Sequence, residues 1–230
     1  MKIAIDIQGI QSVKSRQRGI GRYSLEVVKN LIFNFQNHEF LLIANSTLPD
    51  LRFEFDNQLN YKNVKYLTWY APGPFDYISK NKKNSNIAKL LRSYLFSCLD
   101  SDIILITSFF EGFSDNCLID FDRDFLKTPI FSIFYDLIPL LNPHQYLQNN
   151  PDFAKFYKQK LISLKELDGL LAISQSSRNE AIKYLKYDPK KVFNISSACD
   201  KTIFNSHSNI NRYNSSKINL DLLSPYIMYS

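Results

Sequence analysis

The sequence predicts an α/β fold, a Rossmann-like parallel sheet with helices on both faces. Two patterns carry that expectation. Short β-rich apolar runs alternate with longer segments whose apolar residues recur at helical spacing, the order that builds a parallel sheet. The connections between runs are long enough for helical crossovers. Composition agrees. Of 230 residues, 45% are hydrophobic and 22% charged, ordinary for a globular chain and incompatible with collagen, coiled coil or whole-chain disorder.

The first run, residues 2–7 (KIAIDI), reads as a strand followed by a polar loop. Residues 21–36 place Leu25, Val28, Leu31, Ile32 and Phe35 at helical spacing. Strands follow at 39–44 (EFLLIA) and 64–69 (VKYLTW), with 46–63 a loop around Pro49. From Asn86 onward, Ile87, Leu90, Leu91, Tyr94, Leu95 and Cys98 again recur as a helix. Residues 102–107 (DIILIT) are a buried strand that ends in the aromatic loop Phe109-Phe110-Glu111-Gly112-Phe113. Strands at 129–135, 168–173 and 191–196 and helices at 152–167 and 176–186 complete the unit. Residues 205–219 are rich in Asn and Ser, a linker composition, and 225–230 (PYIMYS) opens a new β-rich run. The expected organisation is one domain over 1–204, a linker over 205–224, and at 225–230 the first strand of a second domain.

The net charge is +6, and its distribution is informative. Residues 1–100 carry 14 basic and 8 acidic side chains, whereas the remainder is balanced. Such asymmetry points to an anionic partner. Nucleic acid is set aside, because the second half is neutral and no recognisable module occurs. An anionic membrane surface stays open. Lys80, Lys82, Lys83, Lys89 and Arg92 precede or lie within the 86–98 helix, with no acid until Asp100. The stretch reads either as a helix lying on an anionic leaflet or as a basic loop leading into a core helix. Cys98, Cys117 and Cys199 are far apart and form no CxxC, and His38, His144 and His207 are isolated. No disulfide framework, zinc site or other metal site is expected. No stretch approaches the ~18 apolar residues of a membrane span, and the N-terminal run is too short for a signal peptide. A cytoplasmic protein follows, peripheral at the inner face of the cell membrane if the basic stretch binds lipid.

Three constellations carry chemistry. Arg18-Gly19-Ile20-Gly21-Arg22-Tyr23 joins the first strand to the first helix. Glycines there let backbone N–H groups approach an anion at a helix N-terminus. The third glycine of a dinucleotide fingerprint is Ser24, so the alternative is a tight turn with solvated arginines. Tyr135-Asp136-Leu137-Ile138-Pro139 closes a strand at the sheet edge where α/β folds hold ligands. Asp136 either accepts a sugar hydroxyl or acts as a base there, or else it caps the following turn. In Ser174-Gln175-Ser176-Ser177-Arg178-Asn179-Glu180, Ser177 and Glu180 fit a capping box, which leaves Ser174 to face a cleft.

Read together, KIAIDIQGI, RGIGRYSLEVVKNL, FYDLIPLLNPHQYL, LKELDGLLAISQSSRNEAIKYL and KKVFNISSACDKTIF resemble the N-terminal half of family 4 glycosyltransferases, which have the GT-B fold. The resemblance covers residues 1–204. PYIMYS resembles the start of the family's donor-binding domain. What the resemblance implies is a retaining, metal-independent enzyme with no cofactor beyond its nucleotide-sugar substrate. Gly19, Gly21 and Arg18 would contact the donor diphosphate, Asp136 and Tyr135 would be catalytic, and Phe110, Glu111 and Ser174 would line the acceptor cleft. Tyr135 stands where many members have His. The implied function is hexosyl or mannosyl transfer to a glycan or glycolipid acceptor in bacterial surface polysaccharide or lipopolysaccharide synthesis. With only the acceptor half in hand, the resemblance implies a truncated chain that is inactive alone. The other reading is a non-catalytic anchoring subunit that partners a separate donor-domain chain.

Overall fold

The computed structural model describes residues 1–197. The expected linker at 205–224 and strand at 225–230 lie outside the described residues. Among the described residues seven strands form one sheet: β1 (Lys2–Asp6), β2 (Glu39–Asn45), β3 (Val64–Trp69), β4 (Ile103–Ile106), β5 (Ile130–Phe134), β6 (Gly169–Ala172) and β7 (Val192–Asn194). Their order is β3-β2-β1-β4-β5-β6-β7, and every pairing is parallel. The order reverses at β1, which makes the edge between β1 and β4 the switch point of a doubly wound sheet.

Eight α-helices accompany the strands among the described residues. They are α1 (Gln8–Gln11), α2 (Gly19–Asn34), α3 (Asp56–Leu59), α4 (Lys82–Cys98), α5 (Ile138–Leu141), α6 (Pro143–Tyr146), α7 (Pro151–Leu164) and α8 (Gln175–Leu185). Both faces of the sheet are covered, and this explains why the strands read as near-continuous apolar runs. Successive residues of β2 feed opposite cores. Phe40, Leu42 and Ala44 share one core with Val28 and Ile32 of α2, whereas Leu41 and Ile43 belong to the other, which runs on to Phe96 of α4, Leu164 of α7 and Leu185 of α8.

The α/β prediction holds, and the long elements fall where periodicity places them. Periodicity does not reveal α1, which begins two residues after β1 and is wholly buried. Nor does it reveal α3, α5 and α6, each of four residues. Too few turns exist in such pieces for a period to show.

Candidate functional site

The strands' carboxyl ends carry most of the predicted site residues. Beyond β1, Asp6 accepts from the backbone N–H and side chain of Gln8, both at 3.0 Å, and receives the guanidinium of Arg92. Residues 12–18 then loop over the start of α2. Ser15 O accepts from the N–H groups of Arg18 and Gly21, each at 3.0 Å. The two glycines are used differently. A Cβ on Gly21 would meet Ser15 O at 2.3 Å and the Arg16 Cα at 2.6 Å, so this glycine lets the loop lie directly on the helix. A Cβ on Gly19 would meet nothing within 4 Å. Gly19 is exposed, as are Arg18 and Arg22. Arg18 provides no side-chain cap, and no acceptor among the described residues takes the N–H of Gly19 or Ile20. The helix therefore begins with open donors and a positive dipole end beside two cations.

Tyr135 ties this loop to the sheet. Its hydroxyl lies 2.6 Å from Ser24 Oγ and donates toward Ile20 O at 3.2 Å and Thr107 O at 3.3 Å. Burial pushes its pKa well above the ordinary phenol value, so the group stays neutral. Asp136 follows, with Oδ1 accepting the N–H of Ile138 at 2.9 Å. This is the turn-capping role that its position before Pro139 allows. Its Oδ2 makes no hydrogen bond among the described residues.

At the end of β6 the capping pattern is displaced by three residues from the expected one. Ser174 is the N-cap of α8 and accepts the N–H of Ser177 at 3.0 Å. Ser177 Oγ donates to Tyr135 O, and Glu180 reaches Leu137 N–H at 3.0 Å rather than folding back on its own helix. The Ser-x-x-Glu spacing marks the helix start, but β6 ends earlier than expected and hands the cap to Ser174.

Glu111 is the most enclosed of the predicted site carboxyls. Oε1 accepts from Ser15 Oγ at 2.6 Å and from Ser108 Oγ at 2.9 Å. Burial raises its pKa against the hydroxyls of Ser15, Ser12 and Ser108, which lower it. Phe110 stacks on Tyr157 of α7 at 4.9 Å.

The basic stretch needs correction. Arg92 is fully buried on α4, where it pairs with Asp6, donates to Asp120 O at 3.2 Å and lies 3.6 Å from the Phe121 ring centroid. It has no access to a lipid surface. Burial lowers its pKa and the Asp6 charge opposes that. Lys80 pairs with Asp152 at 3.4 Å. Lys82 and Lys83 lie in the first turn of α4, and Lys89 is half-buried. The apolar spacing of 87–98 also misleads. The inward side is Ala88, Arg92, Ser93 and Phe96, whereas Leu90, Leu91 and Tyr94 are 47%, 44% and 66% exposed. Sequence reasoning misses Asp6, Asp120 and Lys160. Lys160 Nζ donates to Asp120 Oδ2 at 2.8 Å on the α7 side of the same edge. A lysine inside the 152–167 helical stripe is the available signal.

Over 203 residues the chain is 34% identical to the serotype-specific mannosyltransferase WbdA of Escherichia coli, a match covering 86% of this chain and 24% of WbdA. The chain is similar to a segment of a glycosyltransferase. A second WbdA sequence is 31% identical over 173 residues, covering 73% of this chain and 21% of its own length. The chain thus spans about a quarter of the length of the curated relatives it matches. Among solved structures, the apo lipopolysaccharide outer core galactosyltransferase WaaB is similar, with TM-score 0.45 and 17% identity over 87% of this chain and 46% of its own. The UDP-GlcNAc 2-epimerase of Neisseria meningitidis gives TM-score 0.46 and 13% identity over 84% of this chain and 46% of its own. No protein-family model matches the chain.

Proposed function

We propose that residues 1–204 form the acceptor half of a retaining, family 4 GT-B glycosyltransferase that transfers a mannosyl group onto a glycan or glycolipid of a bacterial surface polysaccharide. The observation that carries this reading is the 34% identity to a mannosyltransferase over 86% of the chain. The open start of α2 supports it. In sugar transfer from a nucleotide sugar, negative charge builds on the departing diphosphate. The unpartnered N–H groups of Gly19 and Ile20, with Arg18 and Arg22 beside them, are placed to receive that charge and favour the transition state. Asp136, with one oxygen committed to Ile138 and the other not, is placed to accept a substrate hydroxyl. Tyr135, neutral and bonded to Ser24, holds the loop and helix rather than exchanging a proton.

On this reading the acceptor half does not hold the nucleotide sugar alone. The cavity beside Glu111 measures about 150 Å³, below the ~300–1,000 Å³ of typical small-molecule sites. On this reading the 230 residues by themselves do not turn over. The α4 surface supports a peripheral membrane position for the same reaction. Leu90, Leu91 and Tyr94 are exposed on the helix that Lys82 and Lys83 begin, and two cations at a helix N-terminus oppose the dipole unless an anion compensates them. No helix among the described residues is long and apolar enough to cross a membrane.

A chimera tests the function directly. This chain replaces the matching segment of WbdA, and mannosyl transfer from nucleotide-mannose is measured. Transfer is expected. A folded chimera with no transfer, or steady turnover by the 230-residue chain alone, overturns the reading. Sedimentation with liposomes tests the membrane position: binding to anionic vesicles should weaken with salt and with Lys82→Glu/Lys83→Glu.

A further inference from the structure

A cavity of about 150 Å³ opens between α7 and the loops that follow β3 and β4. Tyr77 and Phe156 supply rings to its wall, and Glu111, Asp120, Lys160 and Gln159 supply polar groups. The rings are held by one another: Tyr77 packs edge-on to Phe156 at 5.3 Å and stacks on Phe113 at 5.9 Å. Backbone bonds fasten the two loops together, from Tyr77 N–H to Gly112 O at 3.0 Å and from Ile78 N–H to Phe113 O at 3.1 Å. Gly112 has φ +97°, and a Cβ there would meet Cys117 O at 2.2 Å, so the turn that presents Glu111 requires glycine.

The lining selects a ligand class. A cavity of this volume takes about one six-membered ring. Asp120 and Lys160 form an ion pair, with Asp120 Oδ1 lacking a hydrogen-bond partner among the described residues. Lys160 uses one of its three donors on Asp120. A phosphate would face the carboxyls of Glu111 and Asp120, and a wholly apolar ring would strip water from the ion pair without replacing its hydrogen bonds. A polyol offers donors and acceptors together, and the apolar rings of Tyr77 and Phe156 in the wall suit the C–H surface of a pyranose.

Glu111 connects this cavity to the start of α2. Its Oε1 takes the Ser15 hydroxyl, and Ser15 O in turn takes the N–H groups of Arg18 and Gly21. We propose that the cavity is a subsite for one pyranose ring of the acceptor, and that Glu111 is a positioning residue that transmits its occupancy to the loop at residues 15–21. This rests on the acceptor-half reading above and gives it a location and a coupling. A filled subsite orders the loop before the diphosphate arrives there, so acceptor binding and donor-phosphate binding reinforce each other through Ser15.

The 230-residue chain is titrated with methyl α-mannopyranoside, methyl α-glucopyranoside and inorganic phosphate by saturation-transfer NMR, with hydrogen exchange read at residues 15–21. A glycoside is expected to bind in the millimolar range without displacement by phosphate. Tyr77→Ala and the exposed Gln159→Ala should each weaken binding, the former by about tenfold. Bound glycoside should slow exchange in the loop. Ser15→Ala, outside the cavity wall, removes the hydroxyl that Glu111 accepts and should keep the binding and lose that slowing. No glycoside binding, displacement by phosphate, or binding indifferent to Tyr77→Ala and Gln159→Ala overturns the subsite. Equal loop protection in Ser15→Ala overturns the coupling. The WbdA chimera separates the two levels. Transfer with an acceptor KM unchanged by Tyr77→Ala removes the subsite and leaves the function standing, whereas glycoside binding without chimera transfer removes the function and leaves the subsite.

Discussion

The two faces of the sheet solve the same packing problem in different ways. Under α2, the core is hydrocarbon: Ile3, Ile5, Val28, Ile32, Phe40 and Leu42 meet with almost no exposed surface. Under α4 and α7, an ionic chain runs through an otherwise apolar core. Asp6 pairs with Arg92, Arg92 donates to Asp120 O, and Asp120 pairs with Lys160 at the cavity wall. A buried ion pair is weak evidence for stability, because desolvation offsets much of the attraction. Its position is the informative part. The chain ends beneath the carboxyl edge of β1 and β4, where it fixes the loops that form the candidate site. Both faces hold the fold together, and the ionic chain of the second also holds the site in shape.

Breaking that contrast gives the largest expected effect. Arg92→Leu leaves Asp6 buried with only Gln8 as a partner and should cost about 3–5 kcal/mol in urea unfolding. An ordinary loss of ~1 kcal/mol would mean that the pair is no more than a packing contact. Next is the loop over α2. Gly21→Val forces a branched side chain onto the Ser15 and Arg16 backbone and should cost about 1–3 kcal/mol, while Gly19→Ala, facing open space, should change stability by less than about 0.5 kcal/mol. Equal effects at the two positions would break the distinction between a packing glycine and an open one. On the hydrocarbon face, Ile32→Val removes one buried methylene and should cost about 0.5–1.5 kcal/mol, with no change in glycoside binding. A larger loss, or a loss of binding, would show that this face also supports the site.

The same contrast explains which parts of the molecule are legible in the sequence. Alternating strands and helical stripes expose apolar side chains to a periodic reading, so the strands, their succession along the chain and α2 can be read from the residues alone. The glycine loop and the Tyr135-Asp136 edge are legible as motifs. The ionic chain is not, because its members lie far apart in sequence: Asp6, Arg92, Asp120 and Lys160 meet only through sheet topology. Arg92 reads as part of a lipid-facing surface for that reason. Composition places arginine outside, and nothing local to residue 92 announces a carboxylate arriving from β1. The apolar spacing of α4 fails in the complementary way. A helical stripe says which residues share a face, yet it does not say which face turns inward when the buried side holds Ala88, Ser93 and an ion pair.

The smallest expected effect separates two carboxyls in one cavity wall. Burial raises the pKa of Glu111 above its ordinary value. For Asp120, burial acts upward too, but Lys160, with Arg92 and Lys89, outweighs it and the pKa falls below the usual range. The two groups therefore contribute to stability with opposite pH dependence. Below about pH 4.3 the unfolded Glu111 is protonated like the folded one. As pH rises above that value the unfolded chain releases its proton while the fold retains it, so stability from this group falls until the raised folded pKa is passed. Asp120 behaves conversely: its contribution is present above about pH 3.9 and is lost as pH falls through the depressed folded value. Glu111→Gln, which mimics the protonated acid, should match the parent in acid and become the more stable protein as pH rises toward neutrality. Asp120→Asn should be the less stable near neutral pH and converge on the parent in acid. Thermal unfolding of the three proteins from about pH 2 to about pH 7.5, a window that extends well below both ordinary carboxyl values, reads both slopes at once. Parallel curves for the two variants would mean that Glu111 and Asp120 share one electrostatic environment, and the cavity would then lack the division between an acid whose pKa burial raises on the loop side and a paired carboxylate on the α7 side.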